Sequence, residues 1–167
     1  MSQGSEDKGG EKSGRPKVYI SKPLHLDINT LEGKFNRADL EFIGVDQSGP
    51  SYEGRVFINN PNADHDTPKN FDNGYVGSYY IFGHGGCFGD VGHCDRREWR
   101  PYDHRLPDPL RPAYIPLTIT EQLREMGKNN KSFTITIVPV LARKRRSYKV
   151  ELDRIVKMEK ISITTYD

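Results

Sequence analysis

The sequence predicts an all-β fold: an antiparallel β-sandwich of about seven short strands, with long loops and one short helix. Three observations predict it. Several short segments alternate apolar and polar residues with the period of two that half-buried strands show. Clusters of Gly, Pro and Asn separate these segments. Only one stretch has the capping residues and apolar spacing of a helix.

A chain of 167 residues accommodates one such domain. Residues 1–17 offer almost no side chain that a core would bury, so we expect them to form a flexible polar tail. Residues 18–167 then form a single sandwich domain. A net charge of only +2 argues against nucleic-acid binding.

Membrane insertion and export are not expected either. No apolar run approaches the roughly 18 residues that a membrane-spanning helix needs. The N-terminus lacks the basic and then apolar pattern of a signal peptide. The default location is therefore the cytoplasm, where thiols usually stay reduced.

The first predicted strands lie between residues 38 and 58. Ala38–Val45 places Leu40 and Phe42 at period two, and Gln47–Pro50 is typical of a turn. Tyr52–Ile58 is the second strand. Its side chains alternate between two faces, with Gly54, Val56 and Ile58 on one and Glu53, Arg55 and Phe57 on the other.

A polar surface loop, Asp64–Asn73, precedes the third predicted strand. Tyr75–Phe82 has the aromatic and β-branched composition of a central strand. It leads directly into a segment rich in glycine, histidine and cysteine, His84–Cys94. The four prolines of Asp95–Pro112 then predict a long irregular connection.

The predicted helix lies within Leu117–Phe133. Thr118 and Glu121 have the spacing of a capping box, and Gly127 is suited to close the C-terminus. Leu123 and Met126 would face the core.

Strands return at the end of the chain. Phe133–Val140 alternates, Arg143–Arg146 is a basic turn, and Tyr148–Leu152 and Lys157–Thr165 are expected to finish a meander. Ile161 and Ile163 share one face of the last strand. The basic turn is interpreted as a solvated hairpin tip, because no aromatic platform for bases accompanies it.

Both cysteines of the chain lie in His84–Cys94, with two of its five histidines. Thiolate and imidazole are the preferred ligands of Zn(II) and Cu(I), so His84, Cys87, His93 and Cys94 are the predicted metal ligands. A Cys87–Cys94 disulfide, or a glycine-rich turn without a ligand, explains the same residues. All three interpretations stay open at this point.

Trp99 and Tyr102 stand among several arginines, a mixture typical of interaction hot spots. A loop folded over the sandwich would use the same residues for packing. We therefore predict these two side chains as partner-facing aromatics, with internal packing as the alternative.

The order of these elements resembles the C-terminal β-sandwich domain that follows the dicopper domain in tyrosinases and polyphenol oxidases. Tyr52–Asn59 followed by Tyr75–His84 is similar to a strand pair of that domain. Its helix, a Val-Thr-Leu-Val-Pro strand and its last strand are similar to Leu117–Gly127, Thr134–Pro139 and Ile155–Ile163.

The resemblance implies an accessory role without catalysis. In that family two coppers are held by six histidines of a helix bundle, whereas this chain has five histidines and no predicted bundle. It therefore cannot form a dicopper phenol-oxidase site by itself. The resemblance implies that the domain shields or stabilises a copper-oxidase partner through an exposed aromatic. Its position in the family indicates Tyr79, Tyr80 and Phe82.

Two alternatives belong to other functional classes. The chain is a small copper- or zinc-binding protein if the His84–Cys94 segment holds a metal. It is a structural subunit if it self-associates or docks in a larger assembly.

Overall fold

The computed structural model describes residues 15–26, 34–83, 112–127, 132–141 and 152–167. Nine β-strands, one α-helix and two 3₁₀-helices lie within these ranges. The strands are β1 (Tyr19–Ile20), β2 (Leu24–His25), β3 (Arg37–Val45), β4 (Tyr52–Ile58), β5 (Tyr75–Ile81), β6 (Ala113–Thr118), β7 (Ser132–Phe133), β8 (Ile135–Leu141) and β9 (Lys160–Tyr166). The helix α1 is Thr120–Gly127, and the 3₁₀-helices are Phe71–Asn73 and Leu152–Arg154.

The strands form two larger antiparallel sheets and one small pair. A four-stranded sheet has the order β1-β8-β4-β5, a three-stranded sheet has the order β6-β3-β9, and β2 pairs with β7. The two larger sheets face each other, since the ring of Phe42 in β3 lies 4.8 Å from the ring of Tyr79 in β5. The predicted all-β sandwich is confirmed.

Period-two alternation builds the core between the sheets. Each long strand directs every second side chain inward, where full burial of an aliphatic or aromatic side chain contributes about 1.5–3 kcal/mol. The core draws on both sheets and includes the buried side chains of Leu40, Phe42, Val56, Ile58, Ile81, Ile135, Ile137 and Ile161. The predicted alternation of β4 is confirmed. Its outward Phe57 is buried in a second small cluster with Ala63 and Val138.

The predicted C-terminal meander is wrong. The last strand, β9, pairs with β3 in the three-stranded sheet, with Glu41 opposite Ser162, while β8 belongs to the other sheet. Ile161 and Ile163 stand beside Phe42 and Leu40. The last strand therefore adds apolar side chains to the inner face of the three-stranded sheet.

The predicted start of the helix is also wrong. Thr118 ends strand β6, and its hydroxyl donates a hydrogen bond of 2.9 Å to Asp39 instead of capping a helix. Helix α1 begins at Thr120, whose hydroxyl accepts from the Ala38 amide. Strand β6 was not predicted, because it contains Pro116. Since β6 lies at the edge of its sheet, the missing amide of this proline is tolerated.

The strand predicted at Phe133–Val140 is divided at Thr134. The amide of Thr134 donates to the Asn59 side chain rather than to a ladder partner, so Phe133 pairs with β2 and the following residues pair with β4. Asn59 has a φ of 55°, a left-handed conformation that asparagine tolerates. The two-residue strands β1 and β2 are too short to predict from periodicity.

Arg15 and Lys17 contact the sandwich, through an ion pair with Asp66 and a backbone hydrogen bond to Leu152. The tail boundary at residue 17 stays a prediction. The predicted basic turn at 143–146, all of Asp95–Pro112 except its last residue, and residues 148–151 of a predicted strand lie outside the described ranges. Among the described helices, none is long and apolar enough to cross a membrane.

Candidate functional site

The C-terminal end of β5 presents two aromatic side chains to solvent. Tyr80 is 66% exposed and Phe82 is 83% exposed, whereas Tyr79 is only 4% exposed. The alternation of a strand explains this division, because Tyr80 and Phe82 are two residues apart. Of the three predicted partner-facing aromatics in this strand, the structure places Tyr79 in the core instead, so only the other two offer a contact surface.

Tyr79 is buried because it packs over a glycine. Gly54 stands opposite it on β4, and a Cβ atom at Gly54 would lie 2.5 Å from Cζ of the tyrosine ring. The rings of Phe42 and Tyr52 flank it at 4.8 and 6.0 Å. Burial strongly raises the pKa of Tyr79, so its hydroxyl stays neutral, 3.4 Å from the hydroxyl of Tyr52.

A hydrogen-bonded carboxylate lies across the strand from Tyr80. Glu53 is its partner in β4, and the carboxylate accepts hydrogen bonds from Lys69, from Ser78 at 2.8 Å and from Arg55 at 3.2 Å. Burial alone would raise the pKa of Glu53, but these hydrogen bonds outweigh it and lower the pKa. The ionised carboxylate thus links β4, β5 and the loop that carries Lys69 on the face where Tyr80 lies.

Phe82 is held by the residues on either side of it. Ile81 is buried, and the amide of Gly83 donates a hydrogen bond of 3.0 Å to the Ser51 hydroxyl. A Cβ atom at position 83 would lie 2.1 Å from the carbonyl oxygen of Gly49, so only glycine permits this close approach. The exposed phenylalanine therefore projects from a fixed backbone.

A second exposed aromatic pair lies on the outer face of the three-stranded sheet. Tyr114 of β6 is 56% exposed and Tyr166 of β9 is 42% exposed. Between them, Glu41 of β3 accepts hydrogen bonds from both phenols, at 2.7 and 3.5 Å. This face was not predicted from the sequence, because β6 was not predicted. The available signal was Glu41, an acidic residue at an outward position of the central strand.

The predicted metal ligands His84, Cys87, His93 and Cys94 lie outside the described residues, as do Trp99 and Tyr102. The metal site, the alternative disulfide and these two partner-facing aromatics therefore stay predictions. Within the described ranges, no group of three or more His, Cys, Asp or Glu side chains is arranged to hold a metal ion.

Two solved structures of latent aurone synthase, a polyphenol oxidase, are similar to this chain in fold. The enzyme from its natural source is 14% identical, with a TM-score of 0.50 over 98% of this chain and 27% of that one. The recombinantly expressed enzyme is 15% identical, with a TM-score of 0.50 over 94% of this chain and 26% of that one.

This chain thus spans about a quarter of the length of those oxidases. At such low identity the similarity concerns the fold alone. No protein-family profile matches the sequence. No curated protein matches it significantly.

Proposed function

We propose that this chain is a non-catalytic accessory module that docks on a tyrosinase-like copper-oxidase domain and shields or stabilises it. That domain belongs to another chain or to the rest of a longer one. The observation that carries the proposal is the pair of exposed aromatic side chains formed by Tyr80 in β5 and Phe82 directly after it.

Exposed aromatics on a fixed backbone are suited to association. An aromatic side chain buries about 150–250 Å² in a contact and has few rotatable bonds, so fixing it costs little conformational entropy. The backbone around Tyr80 and Phe82 is already ordered by the Glu53 hydrogen bonds and by the Gly83–Ser51 contact. Most of the ordering that docking requires is therefore present before the partner arrives.

The comparisons support the choice of partner. The similar solved structures are polyphenol oxidases described as latent, and the match covers about a quarter of each. A sandwich that occupies a minor part of a larger oxidase is suited to restrain it rather than to perform the oxidation.

Co-purification with a tyrosinase-like dicopper domain from the same genome tests the proposal. The wild-type chain should bind that domain, and should either slow its oxidation of a small phenol or raise its melting temperature. Tyr80→Ser combined with Phe82→Ser should abolish binding. Phe71→Ser is the matched control, because Phe71 is also an exposed aromatic, at 46%, but lies in a 3₁₀-helix of a different loop.

Three results would contradict the proposal. The genome contains no such dicopper domain, the wild-type chain does not bind it, or the double variant binds as well as the wild type. Sedimentation of the purified chain tests the assembly alternative separately, since a subunit that self-associates should sediment above the monomer mass at micromolar concentration.

A further inference from the structure

We propose that the outer face of the three-stranded sheet is a second binding site, where an arginine side chain of a protein partner stacks on the ring of Tyr114, next to the carboxylate of Glu41. The site is separate from the Tyr80–Phe82 pair, and it does not depend on the proposed accessory function.

Three neighbouring strands build the site. Glu41 lies on the central strand β3, Tyr114 on β6 and Tyr166 on β9. Both phenol hydroxyls donate to the same carboxylate oxygen, Oε1, at 2.7 Å and 3.5 Å. The hydroxyls of Ser162 and Thr164 donate to the other oxygen, at 3.2 and 2.7 Å. The tyrosine rings are therefore oriented, while large parts of both remain exposed.

Lys160 of β9 also lies on this face, opposite Ile43, but among the described residues Glu41 forms no ion pair with it or with any other cation. Asp39, buried to 2% exposure, is paired with Arg37 at 2.6 Å. Glu41 receives only hydroxyl donors, and in the described part of the chain no lysine or arginine forms an ion pair with it. These hydroxyls lower the pKa of Glu41, with Tyr114 as the largest contribution, so the negative charge persists at neutral pH.

The hydrogen bonds of Glu41 favour a cation over a sugar. A sugar hydroxyl needs a vacant acceptor, and the oxygens of this carboxylate already accept four internal hydrogen bonds. A cation needs only the charge, which hydroxyl donors do not remove, together with an electron-rich ring face. An arginine from a partner provides the complementary charge and a planar group that stacks on tyrosine.

The protein itself already shows half of this arrangement. The guanidinium carbon of Arg37 lies 5.6 Å from the centroid of the Tyr166 ring, within the range of a cation–π contact. Tyr114 stands on the opposite side of Glu41, and among the described residues no cation or aromatic ring stacks on it. The proposed arginine would occupy the equivalent place over that ring.

An NMR titration of the ¹⁵N-labelled chain with the peptide acetyl-Gly-Arg-Gly-Arg-Gly-amide tests the site. We expect saturable shifts centred on Glu41, Tyr114 and their neighbours. The same peptide with citrulline, which keeps the shape of arginine but not its charge, should cause none. Glu41→Gln and Tyr114→Leu should each weaken binding about five- to tenfold, the scale of one cation–π or charge contact. Tyr114→Phe, which keeps the ring, should weaken it less.

The control variant is Phe71→Ser, an exposed aromatic outside both proposed surfaces, which should bind the peptide like the wild type. Equal shifts with the citrulline peptide, shifts with maltohexaose but not with arginine, or no loss in Tyr114→Leu would each overturn the proposal. Because Tyr114 is largely exposed, Tyr114→Leu should fold even if Glu41→Gln does not.

Discussion

Replacement of Gly54 by alanine should destabilise the protein through one specific clash. The new Cβ atom would lie 2.5 Å from Cζ of Tyr79, and 2.7 and 2.9 Å from its two ε carbons. Carbon atoms pack at about 3.5–4.0 Å, so the ring would have to move by about 1 Å. Phe42 and Tyr52 flank the ring and restrict that movement.

The expected magnitude combines two opposing effects. Overpacking a filled core costs about 1–3 kcal/mol. Alanine returns about 0.5–1 kcal/mol relative to glycine, because it restricts the unfolded chain. The φ of Gly54 is not in the left-handed region, so no backbone strain is added. We therefore expect Gly54→Ala to lower the free energy of unfolding by about 1–2 kcal/mol.

A double-mutant cycle isolates the clash. Urea unfolding followed by circular dichroism would compare Gly54→Ala in the wild type and in Tyr79→Leu, where the ring is absent. In that background the alanine should be neutral or stabilising by up to about 1 kcal/mol, which corresponds to a coupling of about 1–3 kcal/mol. Gly49→Ala is the matched control, because a Cβ atom there would meet nothing within 4 Å. An equal loss in both backgrounds would refute the reasoning.

Three further predictions concern acid stability, a buried hydroxyl and the cysteines. Hydrogen bonds, the largest from Tyr114, lower the pKa of Glu41 in the native state. Its contribution to stability is therefore complete above about pH 5 and is lost as the pH falls through the native pKa, below about pH 4. The urea midpoint of Glu41→Gln should fall less steeply than that of the wild type over this range, and parallel curves would contradict the assignment. The Thr136 hydroxyl is buried and has no hydrogen-bond partner among the described residues. Thr136→Val should therefore raise the free energy of unfolding by about 1 kcal/mol, and a lower free energy of unfolding would contradict this prediction. The metal interpretation of the His84–Cys94 segment predicts about one zinc or copper ion per chain by elemental analysis, and none in Cys87→Ser with Cys94→Ser. A metal-free sample without free thiols would indicate the disulfide instead.

The strands that the sequence predicted well have a buried inner face and a mostly polar or partly exposed outer face, although Phe57 and Asp39 on outer faces are buried too. Tyr52–Ile58 has the predicted bounds, and Ala38–Val45 and Tyr75–Phe82 differ from the structure by one residue each. Local alternation determines such strands. It does not determine which strand lies beside which, and so β9 was expected in the same sheet as β8, whereas it lies beside β3 in the other sheet.

The predictions that were wrong lie where the local sequence pattern conflicts with the pairing of strands in the sheet. Thr118 and Glu121 have the spacing of a helix cap, but pairing of β6 with β3 and the bond from Thr118 to Asp39 override it. Proline at position 116 argues against a strand unless the strand is known to be at an edge. Neither fact is visible before the sheet is assembled.

The candidate site shows the same limit at the scale of one residue. Alternation predicts that Tyr79 and Tyr80 point in opposite directions, but not which of them is inside. The deciding feature is Gly54, since only its missing side chain leaves room for a ring on the inner face. Both residues are present in the sequence, but a glycine opposite an aromatic residue can be identified only when the register of the two strands is known.

The same contact links the core to the proposed docking surface. Tyr80 and Phe82 face outward because Tyr79 packs on Gly54 on the inner face. A shift of one residue in the register of β5 would turn every one of its side chains to the other face. A substitution that displaces Tyr79 from Gly54 should therefore lower both the stability of the protein and its binding to the partner. We expect Gly54→Ala to reduce stability and binding of the dicopper domain together, whereas Tyr80→Ser should reduce binding alone and leave stability within about 0.5 kcal/mol. If Gly54→Ala loses stability but binds the dicopper domain normally, the packing of Tyr79 on Gly54 stabilises the core without positioning Tyr80 and Phe82.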